Sequence, residues 1–172
     1  VNDWLNPTDF FTQNGLNELS PKRNYNYQAE LGGQEFNLQF TVPSGWEVEY
    51  VPQIKALNLF TMNGAGPARE RSQIFMRYFE ADKFLTLPTV TIYQTNDLTV
   101  SNNNYTARRY DIAKNANVPS FAYQPAWRNE RHIVTDFRNQ DKFSRYYVVA
   151  QNPLVEQTKL VDLWQSLTII PQ

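Results

Sequence analysis

The stretch EFNLQFTVPSGWEVEYV, residues 35–51, decides how the chain is read. Phe36, Leu38, Phe40 and Val42 alternate with Glu35, Asn37, Gln39 and Thr41. A period of two places one set on a buried face and the other in water. Pro43-Ser44-Gly45 interrupts the pattern, with Pro43 suited to the second position of a type I turn and Gly45 to the fourth. Trp46, Val48 and Tyr50 then alternate again. The pattern predicts a β-hairpin with its arms on either side of Pro43, and Trp46 in the core.

Further strands are expected outward from this point. KALNLFTM (55–62), TVTIYQT (89–95) and SRYYVVA (144–150) are rich in β-branched and aromatic residues. LTVSNNNYTARRYDI (98–112) reads as two strands joined by an asparagine-rich turn. SQIFMRYFEA (72–81) fits a strand and a helix equally well. A C-terminal helix is predicted with Asn152 as its cap and Pro153 in its first turn. Leu160, Val161, Trp164 and Leu167 form its apolar stripe, so Trp164 is a second expected core tryptophan. Residues 1–33 are polar and broken by Pro7, Gly15, Pro21, Gly32 and Gly33, and read as a leader with YNYQAEL (25–31) as a candidate strand. Residues 34–172 read as a single domain. The fold class expected is α+β, a mostly antiparallel sheet packed between helices.

Composition narrows the function classes. The chain has 172 residues, a formal net charge of −1 and no cysteine. That length typically buries roughly 70% of the unfolded surface, so no disulfide or metal is required for stability. The absence of thiols excludes disulfides, thiol catalysis and thiolate zinc sites. Without an excess of lysine and arginine, nucleic acid is not an expected partner. No stretch approaches the roughly 20 apolar residues of a membrane span. No cofactor and no metal are expected, and G-x-S-x-G, H-E-x-x-H and P-loop motifs are all missing.

Three features together resemble the PsbP-like family. They are the alternating strand ending in FTVPSGWEVE (40–49), the antiparallel strands that follow, and a final helix ending in LWQSLTI (163–169). The resemblance covers about residues 34–170. Its members include the extrinsic oxygen-evolving subunit of photosystem II and many bacterial exported proteins and lipoproteins. It implies an α/β/α sandwich and a place outside the cytoplasm, exported or membrane-anchored. It carries over no catalytic motif. Val1 in place of an initiator methionine reads as a trimmed start, with any membrane attachment made through a removed anchor. A monomeric, non-enzymatic accessory or binding protein is expected, with a protein partner left open.

The candidate site lies in QPAWRNERHIVTDFR, residues 124–138, around the one histidine of the chain. Arg128, Glu130, His132 and Asp136 are the candidate ligand-binding residues. As a strand over 127–137, one face carries Arg128, Glu130, His132, Val134 and Asp136, with Arg138 continuing it. The reverse carries Trp127, Asn129, Arg131, Ile133, Thr135 and Phe137. Alternating charge suits cross-strand ion pairs in water, so the first face is expected to be wet and Ile133 and Phe137 buried. His132 is then expected to titrate near the ordinary value of about 6.5. The alternative is a small-ligand or divalent-metal site around Glu130 and His132. Catalysis by His132 with Asp136 is disfavoured by their separation of about 13 Å along a strand.

Overall fold

The computed structural model describes residues 20–32, 36–81, 86–99, 105–139 and 145–169. Its strands are β1 (Arg23–Asn26), β2 (Leu38–Val42), β3 (Trp46–Val51), β4 (Ala56–Thr61), β5 (Ser72–Glu80), β6 (Val90–Leu98), β7 (Tyr105–Lys114), β8 (His132–Asn139), β9 (Arg145–Gln151) and β10 (Thr168–Ile169). The helices among the described residues are α1 (Tyr27–Leu31) and α2 (Gln157–Ser166). Seven strands form one antiparallel sheet in the order β3-β4-β5-β9-β8-β7-β6. The other three form a small sheet in the order β1-β2-β10, also antiparallel.

The decisive stretch is not a hairpin. Its two alternating arms, β2 and β3, belong to different sheets. The turn is also framed one residue later than expected. The Trp46 N–H donates to the Pro43 carbonyl at 3.1 Å, and Gly45 sits at φ 80. A positive φ at the third position marks a type II turn, which glycine adopts without steric cost. Ser20 fastens this corner, its carbonyl accepting from the Gly45 N–H at 2.7 Å and its hydroxyl donating to the Trp46 carbonyl at 2.6 Å. Period two was read correctly, because Leu38, Phe40, Val42 and Trp46 all enter one core between the sheets. Alternation reports which side is buried and says nothing about which strand is the neighbour.

The expected sandwich, a sheet between helices, is overturned as well. The fold is mostly antiparallel β structure in two sheets. One face of the large sheet packs against the small sheet, α1 and α2, around Leu57, Ile74, Met76, Tyr147 and Val149. The reverse face has its own core of Phe75, Tyr110, Ile112, Val134, Tyr146 and Val148. No α-helix among the described residues covers that reverse face. Irregular chain and 3-10 turns do so, through Ile54, Leu87, Phe121 and Trp127. Burial of both faces explains why SQIFMRYFEA looked ambiguous: β5 buries residues from both faces and so loses its alternation.

Residues 23–31, assigned to the leader from sequence, supply β1 and α1 and place Tyr25 and Tyr27 in the core. YNYQAEL is divided between the two. The Asn26 side chain accepts from the Ala29 N–H at 3.1 Å and starts α1. The C-terminal helix also begins later than predicted, at Gln157, with Glu156 before it. Asn152 and Pro153 lie in the turn ahead of it. There the Asn152 side chain donates to the Ser72 carbonyl at 2.9 Å and accepts from the Leu154 N–H at 2.9 Å. The buried stripe also differs from the one expected. Leu160 and Leu163 face the core, while Val161 is exposed. Trp164 is half-buried against Phe137, and Trp46 is fully buried as expected. LTII ends in β10, which pairs Ile169 with Leu38.

Candidate functional site

The strand expected over 127–137 starts only at His132. Pro125 leads into a 3-10 turn, Ala126–Asn129, so residues before the strand do not share its alternation. From His132 onward, His132, Val134, Asp136 and Arg138 point to the reverse face. That face is buried, not wet. The segment carrying Phe121 and Trp127 folds over it, and the Trp127 ring meets the His132 ring edge-on at 5.5 Å. Phe137 is buried on the other face as predicted, while Ile133 is only half-buried. Arg131 precedes the strand, points to solvent and pairs with Asp111 at 3.0 Å.

The four candidate residues separate into three places. Arg128 and His132 form a buried pair, with Nη1 of Arg128 2.7 Å from Nε2 of His132. Nδ1 of His132 lies 2.7 Å from the Glu130 carbonyl oxygen. A guanidinium only donates and a carbonyl only accepts. The proton therefore sits on Nδ1, and Nε2 receives the Arg128 hydrogen bond. Burial, then the Arg128 charge, push His132 down to about 3, against a smaller opposite pull from the Glu130 carbonyl. The expected titration near 6.5 is corrected accordingly. Burial, then the charge of Arg77, push Arg128 down to about 9, which leaves it protonated at neutral pH. Arg128 also donates to Gln124 at 3.0 Å and lies over the Phe121 ring at 5.6 Å. Both nitrogens of His132 are committed, so the imidazole has no lone pair for a metal or a substrate proton. The Glu130 side chain is exposed, and only its backbone reaches His132. Among the described residues no group of three or more His, Asp or Glu is placed to hold a metal ion.

Asp136 has a different role. It is 8% exposed, on β8 opposite Arg108 of β7. Its Oδ1 is buried without a hydrogen-bond partner, and its Oδ2 is 4.0 Å from Nη2 of Arg138. Burial raises its carboxyl to about 6, against the pull of Arg138 and Arg108. Tyr110 is raised too, by burial and then by the Asp136 charge. Asp136 lines a cleft of about 520 Å³ at the β6–β7–β8 end of the reverse face. Asp97, Thr106, Arg108, Tyr110 and Arg138 supply the rest of its polar wall, and Leu87, Leu98 and Ala107 its apolar part. Arg108 Nε donates to Asp97 at 2.7 Å. Arg138 donates to the Ala81 carbonyl at 3.1 Å and stacks on Tyr146 at 4.2 Å. Tyr146 stacks on Phe79, and Arg77 on Phe79 in turn.

A second groove of about 510 Å³ runs between α2, the ends of β6 and β9, and Arg109 in the middle of β7. Its tryptophan is already engaged. Trp164 donates to Gln151 at 2.9 Å, with Arg109 over its ring at 4.9 Å and Phe137 packed on it. Asp136 of the first cleft carries a buried oxygen without a partner, and among the described residues none that lines this groove does.

The sequence groups Asp136 with Arg128, Glu130 and His132, and the structure places other residues around it. Asp97, Arg108 and Tyr110 come from β6 and β7, and cross-strand register brings them to Asp136. YTARRY did carry a signal: Arg108 and Tyr110 share one face, with Arg109 on the other against Trp164. Comparisons with protein-family models, with curated proteins and with solved structures find no match for this chain.

Proposed function

We propose that this protein is a non-enzymatic accessory or binding module that holds a small polar ligand in the β6–β7–β8 cleft, anchored by Asp136. The observation that carries this is the Asp136 carboxylate, a buried side chain that lines the cleft and whose Oδ1 has no hydrogen-bond partner. Such an unmet group costs roughly 1–3 kcal/mol, so the site holds a carboxylate the fold itself does not satisfy. Binding is favoured over catalysis because both nitrogens of the histidine are committed to hydrogen bonds. Placement outside the cytoplasm belongs to the same proposal, and its support is the sequence resemblance of residues 34–170 alone. A formal charge of −1 supports a partner other than nucleic acid.

A fragment screen read by amide NMR tests the site. Fragments bearing O–H or N–H donors should shift amides at 106–110 and 134–138 in a saturable way. The shifts should be lost in Asp136→Asn, once thermal melts show that variant to be folded. Shifts confined to other regions, or none at all, would remove the proposal.

A further inference from the structure

The cleft also indicates which class of ligand it takes, on the footing that it is a ligand site. We propose that the ligand is a neutral polyol of monosaccharide size, held through its hydroxyl groups by Asp97, Arg108, Asp136 and Arg138.

Charge balance is the first argument. Two carboxylates and two guanidiniums line the cleft, so neither an anion nor a cation meets a field of one sign. The order of these groups is the second. Asp97 of β6 is opposite Arg108 of β7, and Arg108 is opposite Asp136 of β8. Acceptor, donor and acceptor thus repeat across neighbouring strands about 4.8 Å apart. Arg138, two residues along β8, is a further donor, and the hydroxyls of Thr106 and Tyr110 flank Arg108 along β7.

A ligand hydroxyl both donates and accepts. It can give its proton to the Asp136 carboxylate on the cleft wall, while its lone pairs face a guanidinium. An ammonium would satisfy Asp136 but sit against Arg138, whose guanidinium is 4.0 Å from the same carboxylate. An anion would have to displace Asp97 from Arg108, where the pair is 2.7 Å long, and would still face Asp136. A zwitterion of the amino-acid kind meets that same obstacle at its carboxylate. Size agrees: about 520 Å³ falls within the range of small-molecule clefts, and Leu87, Leu98 and Ala107 offer apolar surface to a C–H face.

The test is a set of titrations of the intact chain, by amide NMR and calorimetry. The probes are methyl glycosides of glucose, galactose and mannose, myo-inositol, glycine, choline and sulfate. At least one polyol should saturate shifts at 106–110 and 134–138. Its affinity should fall at least about tenfold in Asp136→Asn and in Arg108→Gln, with both variants confirmed folded by thermal melts. Saturation of the same amides by glycine, choline or sulfate, with no response to any polyol, overturns the ligand class and leaves the cleft as a site. If no polyol, no charged probe and no donor fragment shifts those amides, the ligand class and the site fall together.

Discussion

Arg128 donates to Nε2 of His132 across 2.7 Å, and this one contact settles the state of the imidazole. A protonated ring would set N–H against N–H beside a guanidinium. The ring should therefore remain neutral well below the usual range. Histidine carbon and nitrogen shifts should stay flat from pH 8 to pH 5, with the proton on Nδ1. A midpoint near 6.5 would mean the pair opens in solution.

The two buried titrating groups of β8 drive stability in opposite directions. The folded-state value of Asp136 is raised from 3.8 to about 6. Between those values the folded state binds the extra proton, so acidification stabilises and the ionised form above pH 6 costs up to about 3 kcal/mol. His132 is lowered from 6.5 to about 3. Between those values the unfolded state binds the extra proton, so acidification destabilises. The two effects offset between pH 4 and 6. Urea melts across that range should separate them. Relative to wild type, Asp136→Asn should lose stability on going from pH 6 to pH 4, and His132→Gln should gain it. At pH 7 Asp136→Asn should be more stable than wild type by about 1–3 kcal/mol. Parallel slopes in the two variants would refute the assignment.

Trp46 and Trp164 should differ in energetic weight. Trp46 is 2% exposed within the inter-sheet core. Trp46→Ala should cost about 3–5 kcal/mol in chemical denaturation. Trp164 keeps part of its ring in solvent at the mouth of the second groove, and Trp164→Ala should cost less than half as much. Equal losses would show that the groove is closed.

Gly45 should tolerate replacement poorly. Its φ of 80 lies where a Cβ costs about 1–2 kcal/mol. Gly45→Ala should lower stability by that amount, whereas Ser44→Ala, which keeps the backbone carbonyl that accepts from Lys159, should lose little. Thermal melts of the two variants decide this, and an indifferent Gly45→Ala would remove the type II corner.

The legible parts of the fold are those where one face is wet. β2 alternates buried and half-buried, and its period was visible in Phe36 to Val42. Strands buried on both faces offered no such contrast. In β8, Val134, Thr135, Asp136 and Phe137 are consecutive and all buried, so charged residues on that strand gave no sign of which side faced water. The row of alternating charge was misread for a specific reason. Arg128 and Glu130 stand in a 3-10 turn and its cap, where spacing along the chain no longer reports a shared face. Asp136 was legible as a candidate from its type and place. The cleft around it was not, because register between β6, β7 and β8 is a property of three strands and none of them encodes it alone.

The corner at Gly45 has a bearing on how the chain comes into being. It commits β2 to the small sheet, whose third strand, β10, arrives about 130 residues later. At translation speeds of about 5–20 residues per second, that gap is on the order of 6–25 s. Throughout it, Leu38, Phe40 and Val42 await β10, and the large sheet they pack against is complete only with β9. A chain at that stage carries an apolar ribbon on its N-terminal side that only β1 has paired.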